Sequence, residues 1–143
     1  LKKLAASGSY FVSRGDDSGT HKKEMSLWAA AELEPCGDWY LPAGQGMGAV
    51  ITIANEKGAY TMADRGTYLA FRDKLALEVL VAGDTRLFNP YGVIAVNPAR
   101  HDHVSYIDTM AFIGWLTSAE GQSIIGDFKI GGQALFTPDA LVR

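Results

Sequence analysis

Apolar residues fall in short runs along this chain, each closed by glycine, proline or a polar cluster. Tyr10 to Val12 is a β-prone run that ends in the polar stretch Ser13-Arg14-Gly15-Asp16-Asp17-Ser18-Gly19-Thr20. The apolar positions after it, Met25, Leu27, Trp28, Ala29, Ala31 and Leu33, are carried mostly by good helix formers. The pattern predicts a strand, a tight loop and a helix over about Thr20 to Leu33, stopped by Pro35 and Gly37. Trp39-Tyr40-Leu41 is a short apolar segment before the loop Gly44-Gln45-Gly46-Met47-Gly48, and a helix is expected over Ala49 to Glu56, ended by Gly58. Ala59 to Met62 reads as a strand, and Asp64 as the N-cap of a short helix through Phe71. Leu77 to Val81 and Tyr91 to Val96 read as strands, with Gly83-Asp84 as a turn between them. The last third predicts two helices, Ser105 to Leu116 and Ala119 to Phe128, broken by Gly131-Gly132. Strands alternating with helices predict an α/β architecture.

Composition bounds this picture without redirecting it. The 143 residues are one domain's length, and 48% hydrophobic with 20% charged residues can bury a core. Thirteen Lys and Arg against 16 Asp and Glu give a net charge of −3, which lacks the electrostatic footprint of a nucleic-acid binder. No apolar run reaches the ~18 residues that suggest a membrane span. Cys36 is the single cysteine, so neither an intrachain disulfide nor a Cys-x-x-Cys site exists, and nothing around it marks it as a nucleophile. Leu1-Lys2-Lys3-Leu4-Ala5-Ala6 reads as the end of a helix closed by Gly8. With no initiating Met and no signal-peptide pattern, the expectation is a piece of a longer protein.

The candidate chemistry concentrates in Ser13 to Thr20. Free N–H groups and partial positive charge at a helix N-terminus favour an anion. Ser18 and Thr20 add hydroxyl donors, and Gly19 allows close backbone approach. Arg14 supplies a planar fork suited to an oxyanion, which Asp16 could hold in position. The competing reading is a plain N-cap loop with a surface ion pair. No P-loop spacing is present. Gly15-Asp16-Asp17-Ser18-Gly19 is similar to the segment around the nucleophile of trypsin-like proteases, but no His precedes Ser18 and the predicted helix after it does not suit that fold.

Three other segments carry candidate chemistry. Gly44-x-Gly46-x-x-Ala49, with Asp64 twenty residues after Gly44, formally matches a dinucleotide fingerprint, though the strand before it is short and followed by Pro42. His101-Asp102-His103 could place two imidazoles together, but a solvated helix entry explains it as well, and no metal site is expected. Asp64-Arg65-Gly66-Thr67 is a second helix start with an arginine. Trp28, Trp39 and Trp115 are expected in the core.

Phe11-Val12-Ser13-Arg14-Gly15-Asp16-Asp17-Ser18-Gly19-Thr20-His21-Lys22-Lys23-Glu24 resembles the periplasmic tungstate-binding proteins of ABC transporters. So do Trp39-Tyr40, Gly44 to Gly48, Ala59 to Tyr68, Asn89-Pro90-Tyr91, Trp115 to Ser118, Gly121-Gln122 and Leu135 to Pro138. The resemblance implies a two-lobed periplasmic binding protein of the second type, with an oxyanion held between the lobes and a membrane permease as partner. It further implies a periplasmic or extracytoplasmic location, no enzymatic activity and no cofactor. It assigns residues 1–8 to the end of the first lobe, 9–91 to the second α/β lobe, and 92–143 to a crossover and helices completing the first. Arg14, Ser18, Gly19 and Thr20 carry over as ligand-binding residues and Asp16 as the partner orienting Arg14, with Ser13, Asp17 and Arg65 as weaker transfers. Tungstate or molybdate is the implied ligand. Phosphate or sulfate is the alternative, and a dinucleotide-binding enzyme domain the alternative of another class. The apolar C-terminal helices imply self-association when their cover is missing.

Overall fold

Three short parallel strands, β1 (Phe11–Ser13), β2 (Tyr40–Pro42) and β3 (Tyr60–Thr61), form a sheet in the order β2-β1-β3 in the computed structural model, which describes residues 1–140. This sheet belongs to the first of two compact units, Leu1–Phe88; the second begins at Asn89. Alternation along β1 sends its side chains to opposite faces. Phe11 meets the edge of Trp28 at 5.3 Å between ring centroids, so helix α2 (Gly19–Ala30) covers that face. Val12 packs with Met47, Val50, Ile51 and Ala54 of helix α3 (Met47–Lys57), which covers the other. A central strand covered on both sides reads as a continuous apolar run, which is why Phe11-Val12 shows no polar alternation. Each fully buried aliphatic side chain here contributes roughly 1.5–3 kcal/mol relative to exposure.

The remaining helices of this unit follow their sequence signals. Helix α1 (Lys2–Ser7) ends at Gly8 with φ of 69°, a left-handed C-cap. Asp64 caps helix α4 (Arg65–Phe71), accepting from the Thr67 N–H at 2.8 Å. Helix α2 ends at Ala30, earlier than the expected Leu33, because the chain turns through Glu32 at a left-handed φ of 57°. The expected strands at Leu77 to Val81 and Tyr91 to Val96 do not form. Among the described residues no strand pairs with either segment, and Leu80 and Ile94 are 69% and 85% exposed.

The second unit carries helices α5 (Tyr106–Leu116) and α6 (Ala119–Asp127) and a small antiparallel hairpin, β4 (Lys129–Ile130) and β5 (Gln133–Ala134). Gly131 and Gly132 were expected only as a helix breaker. Their φ values of 55° and 78° make the two-residue hairpin turn that needs left-handed backbone at both positions. Gln122 is buried and ties the unit together: its amide donates to the Leu116 carbonyl at 2.9 Å, and its side-chain oxygen accepts from the Ala140 N–H at 3.2 Å. Helix α5 buries none of its residues, and Trp115, expected in the core, is 41% exposed. No helix among the described residues is long and apolar enough to cross a membrane.

Candidate anion site

Because all three strands of the first unit are parallel, their C-terminal ends share one edge, and α2, α3 and α4 all start there. β1 lies between β2 and β3, so the chain leaves in opposite directions on its two sides. That crevice is where open α/β sheets bind ligands. The Ala43 N–H donates to the Ser13 carbonyl at 2.9 Å and the Gly44 N–H to the Arg14 carbonyl at 2.8 Å, fastening the loop after β2 to the loop after β1.

The loop after β1 builds a charged fork over a helix end. The Nε and Nη2 of Arg14 both donate to one oxygen of Asp16, at 3.1 and 2.5 Å, while Nη1 has no acceptor among the described residues. The other Asp16 oxygen accepts from the Ser18 N–H at 3.2 Å. Hydrogen bonding from the Ser18 side chain, then from Arg14 and the Ser18 backbone, outweighs desolvation and holds the Asp16 carboxyl down to about 2. Ser18 caps α2, its hydroxyl accepting from the His21 N–H at 3.3 Å and its carbonyl from Lys22. The N–H groups of Gly19 and Thr20 precede that first helical bond and have no acceptor among the described residues. An arginine held along one edge and two free backbone donors therefore lie within one short loop.

Gly15 permits this turn. Its φ is 59°, and a Cβ there would stand 2.8 Å from the Cβ of Pro42 on the neighbouring strand. Asp17 also takes a left-handed φ of 57°; its N–H donates to His21 Nδ1 at 3.0 Å, and its exposed carboxylate pairs with Lys22 at 3.5 Å. Arg65 sits on the first turn of α4, at the same sheet edge as the loop.

Sequence reasoning pointed Ser13 at the ligand and passed over Glu24. Ser13 is 1% exposed and turned inward; its hydroxyl donates to Glu24 at 2.7 Å and accepts from the Gly15 N–H at 3.2 Å. Glu24, 3% exposed, also accepts from Trp28 Nε1 at 3.1 Å and from the Tyr40 hydroxyl at 2.8 Å. Burial pushes the Tyr40 phenol up to about 12, with Ser13 opposing the rise and Glu24 adding to it. The signal for Glu24 was its place four residues before Trp28, on one helix face.

The other sequence candidates show other roles. Both Asp64 oxygens are engaged by Thr67, one by its N–H and one by its hydroxyl, each at 2.8 Å, so the carboxylate serves α4 as a cap. His101 and His103 are exposed, with ring centroids 6.1 Å apart. Among the described residues no group of three or more His, Cys, Asp or Glu could hold a metal ion. Cys36 is exposed.

A parallel sheet with a charged loop at its switch point is the plan of an α/β binding domain. A model of the PBP superfamily domain matches residues 2–120, and the chain belongs to that superfamily. Its relatives narrow the resemblance further. The tungstate-binding protein TupA of Peptoclostridium acidaminophilum is 49% identical over 142 residues, 98% of this chain and 50% of that protein. The crystal structure of the tungstate ABC transporter from Geobacter sulfurreducens superposes with a TM-score of 0.82 at 53% identity, over 90% of this chain and 54% of that one. The tungstate-binding protein TupA from Desulfovibrio alaskensis G20 gives 0.80 at 47% identity, over 96% and 58%. The expected α/β class and the resemblance to tungstate-binding proteins are thus both borne out. The chain spans about half the length of the curated relatives it matches.

Proposed function

We propose that this chain supplies one wall of the oxyanion site in the substrate-binding component of an ABC importer, with tungstate as ligand and molybdate as its close analogue. The observation that carries this reading is the Arg14 guanidinium, held along one edge by Asp16, in the same loop that ends in the N–H groups of Gly19 and Thr20, which have no acceptor among the described residues. Tungstate is a tetrahedral dianion with no proton at neutral pH, so a shell made only of donors suits it. Arg14, Ser18, Gly19 and Thr20 form that shell on this side. Arg65 adds a cation at the same sheet edge, and Asp16 orients Arg14. Ser13 acts from beneath the loop. Asp17 stays outside the shell, since a carboxylate near a dianion would repel it.

The opposite wall corresponds to the length that the relatives carry beyond this chain. Residues 9–91 then form one lobe, and residues 1–8 and 92–143 belong with the other. The protein works by passive capture, without bond chemistry, outside the cytoplasm, and hands its ligand to a membrane permease. Taken alone, the 143-residue chain self-associates through the apolar surface of α5.

Calorimetric titration with tungstate, molybdate, sulfate, phosphate and NAD tests the reading. It is run on this chain and on the chain extended to its relatives' length. Tungstate and molybdate bind the extended form tightly and the 143-residue form weakly. Preference for phosphate or sulfate would move the ligand assignment. NAD binding without oxyanion binding would overturn the class, a result against which the engagement of Asp64 by Thr67 already speaks.

A further inference from the structure

We infer that Glu24 is a positioning residue for the anion loop, acting through Ser13. This rests on the oxyanion reading of that loop. Glu24 is a buried carboxylate with three donors around it: one of its oxygens takes the Trp28 indole and the Tyr40 hydroxyl, and the other takes the hydroxyl of Ser13. A carboxylate accepts and never donates, so it fixes which way the Ser13 hydrogen points. With that hydrogen committed to Glu24, a Ser13 lone pair faces the loop and receives the Gly15 N–H. Gly15 is the residue whose left-handed backbone turns the chain between Arg14 and Asp16. A relay thus runs from the interior of α2 to the turn that sets the Arg14 fork.

The arrangement is more than a satisfied polar core. A hydrophobic residue at position 24 would leave the Ser13, Trp28 and Tyr40 donors without this partner in the interior, a cost that a purely structural position avoids by being apolar. Glutamine keeps the shape but inverts the logic. If its oxygen stays with Trp28 and Tyr40, its NH2 group faces Ser13, and the Ser13 hydroxyl must accept where it had donated. The orientation that served Gly15 is then no longer enforced.

The test reads the loop with and without ligand. In the unliganded protein, amide hydrogen exchange at Gly15 speeds up by at least about tenfold in Glu24→Gln and in Ser13→Ala, while β1 amides outside the relay keep their protection. In the protein extended to its relatives' length, both variants lose tungstate affinity by at least about tenfold. The double variant falls no more than about twofold below the weaker single, because the two residues act in series. Gly15 exchange within about threefold of the parent in both variants would overturn the inference, and so would affinity losses that multiply in the double variant. Should Glu24→Gln fail to fold, Glu24→Asp replaces it: the carboxylate is kept but drawn back from Ser13, and Gly15 exchange within about threefold of the parent would again overturn the inference. If the parent binds no oxyanion, the proposed function fails, and Gly15 exchange still judges the relay.

Discussion

At the scale of single residues, the site is a question of which donors are already engaged. Arg14 uses Nε and Nη2 on Asp16, and Nη1 has no acceptor among the described residues. Its side chain takes no part in the apolar core, so Arg14→Ala is expected to leave the thermal transition nearly unchanged. Oxyanion affinity falls by more than a factor of about ten, or 1.4 kcal/mol. Calorimetry on the extended protein checks both parts, and retained affinity would assign the binding to the backbone donors. Asp16 gives a second prediction. Its carboxyl is depressed from 3.8 to about 2, first through Ser18 and then through Arg14. A depressed folded value means that the hold on the loop is complete above the ordinary value and lost as pH falls through about 2. The carboxyl carbon of Asp16, followed by NMR, titrates near 2 in the parent and moves back toward 3.8 in Ser18→Ala. An unmoved midpoint would deny Ser18 that part.

At the scale of elements, the loop works because β2 crowds it. Gly15 meets Pro42 so closely that Gly15→Ala combines a left-handed penalty of about 1–2 kcal/mol with a steric clash. Urea unfolding followed by tryptophan fluorescence is expected to show at least that loss, and a neutral result would mean that the loop shifts freely. Elements with local signals were legible in the sequence: α2 behind the Ser18 cap, α3 ended by Gly58, α4 behind Asp64, and α1 closed by Gly8. These depend on capping and on backbone freedom, which act within one turn. The segment Leu77 to Val81 was misread because β-propensity is realised only when a neighbour offers a ladder. Ser13 was misjudged for a related reason. The residue type announces a hydroxyl, but which face of β1 it takes depends on the register with β2 and β3, which no local pattern encodes. Glu24 was hidden because an acid on a helix ordinarily faces water, and only the packing of Tyr40 and Trp28 turns it inward.

At the scale of the whole molecule, the two units pose different problems. The first buries its sheet on both faces, whereas α5 buries nothing, and Ile107 and Phe112 are 83% and 55% exposed. Apolar surface of this kind seeks cover. Light scattering of the 143-residue chain is expected to give a mass well above the 15.4 kDa monomer. Ile107→Glu combined with Met110→Glu returns it to the monomer, and a clean monomeric parent at high concentration would remove self-association. The pairing of charges around the loop has a kinetic consequence. Arg14 is matched by Asp16 and Lys22 by Asp17, so the loop presents little net field while the chain carries −3. On the oxyanion reading, a dianion approaching this chain is expected to be repelled at long range and attracted only at short range, inside a Debye length of about 8–10 Å. Added salt should therefore speed capture rather than slow it, the reverse of an electrostatically steered encounter. Stopped-flow association rates that fall with ionic strength would show that the loop attracts from afar. Rising rates would mark a site that chooses its anion by fit after a collision it does nothing to encourage.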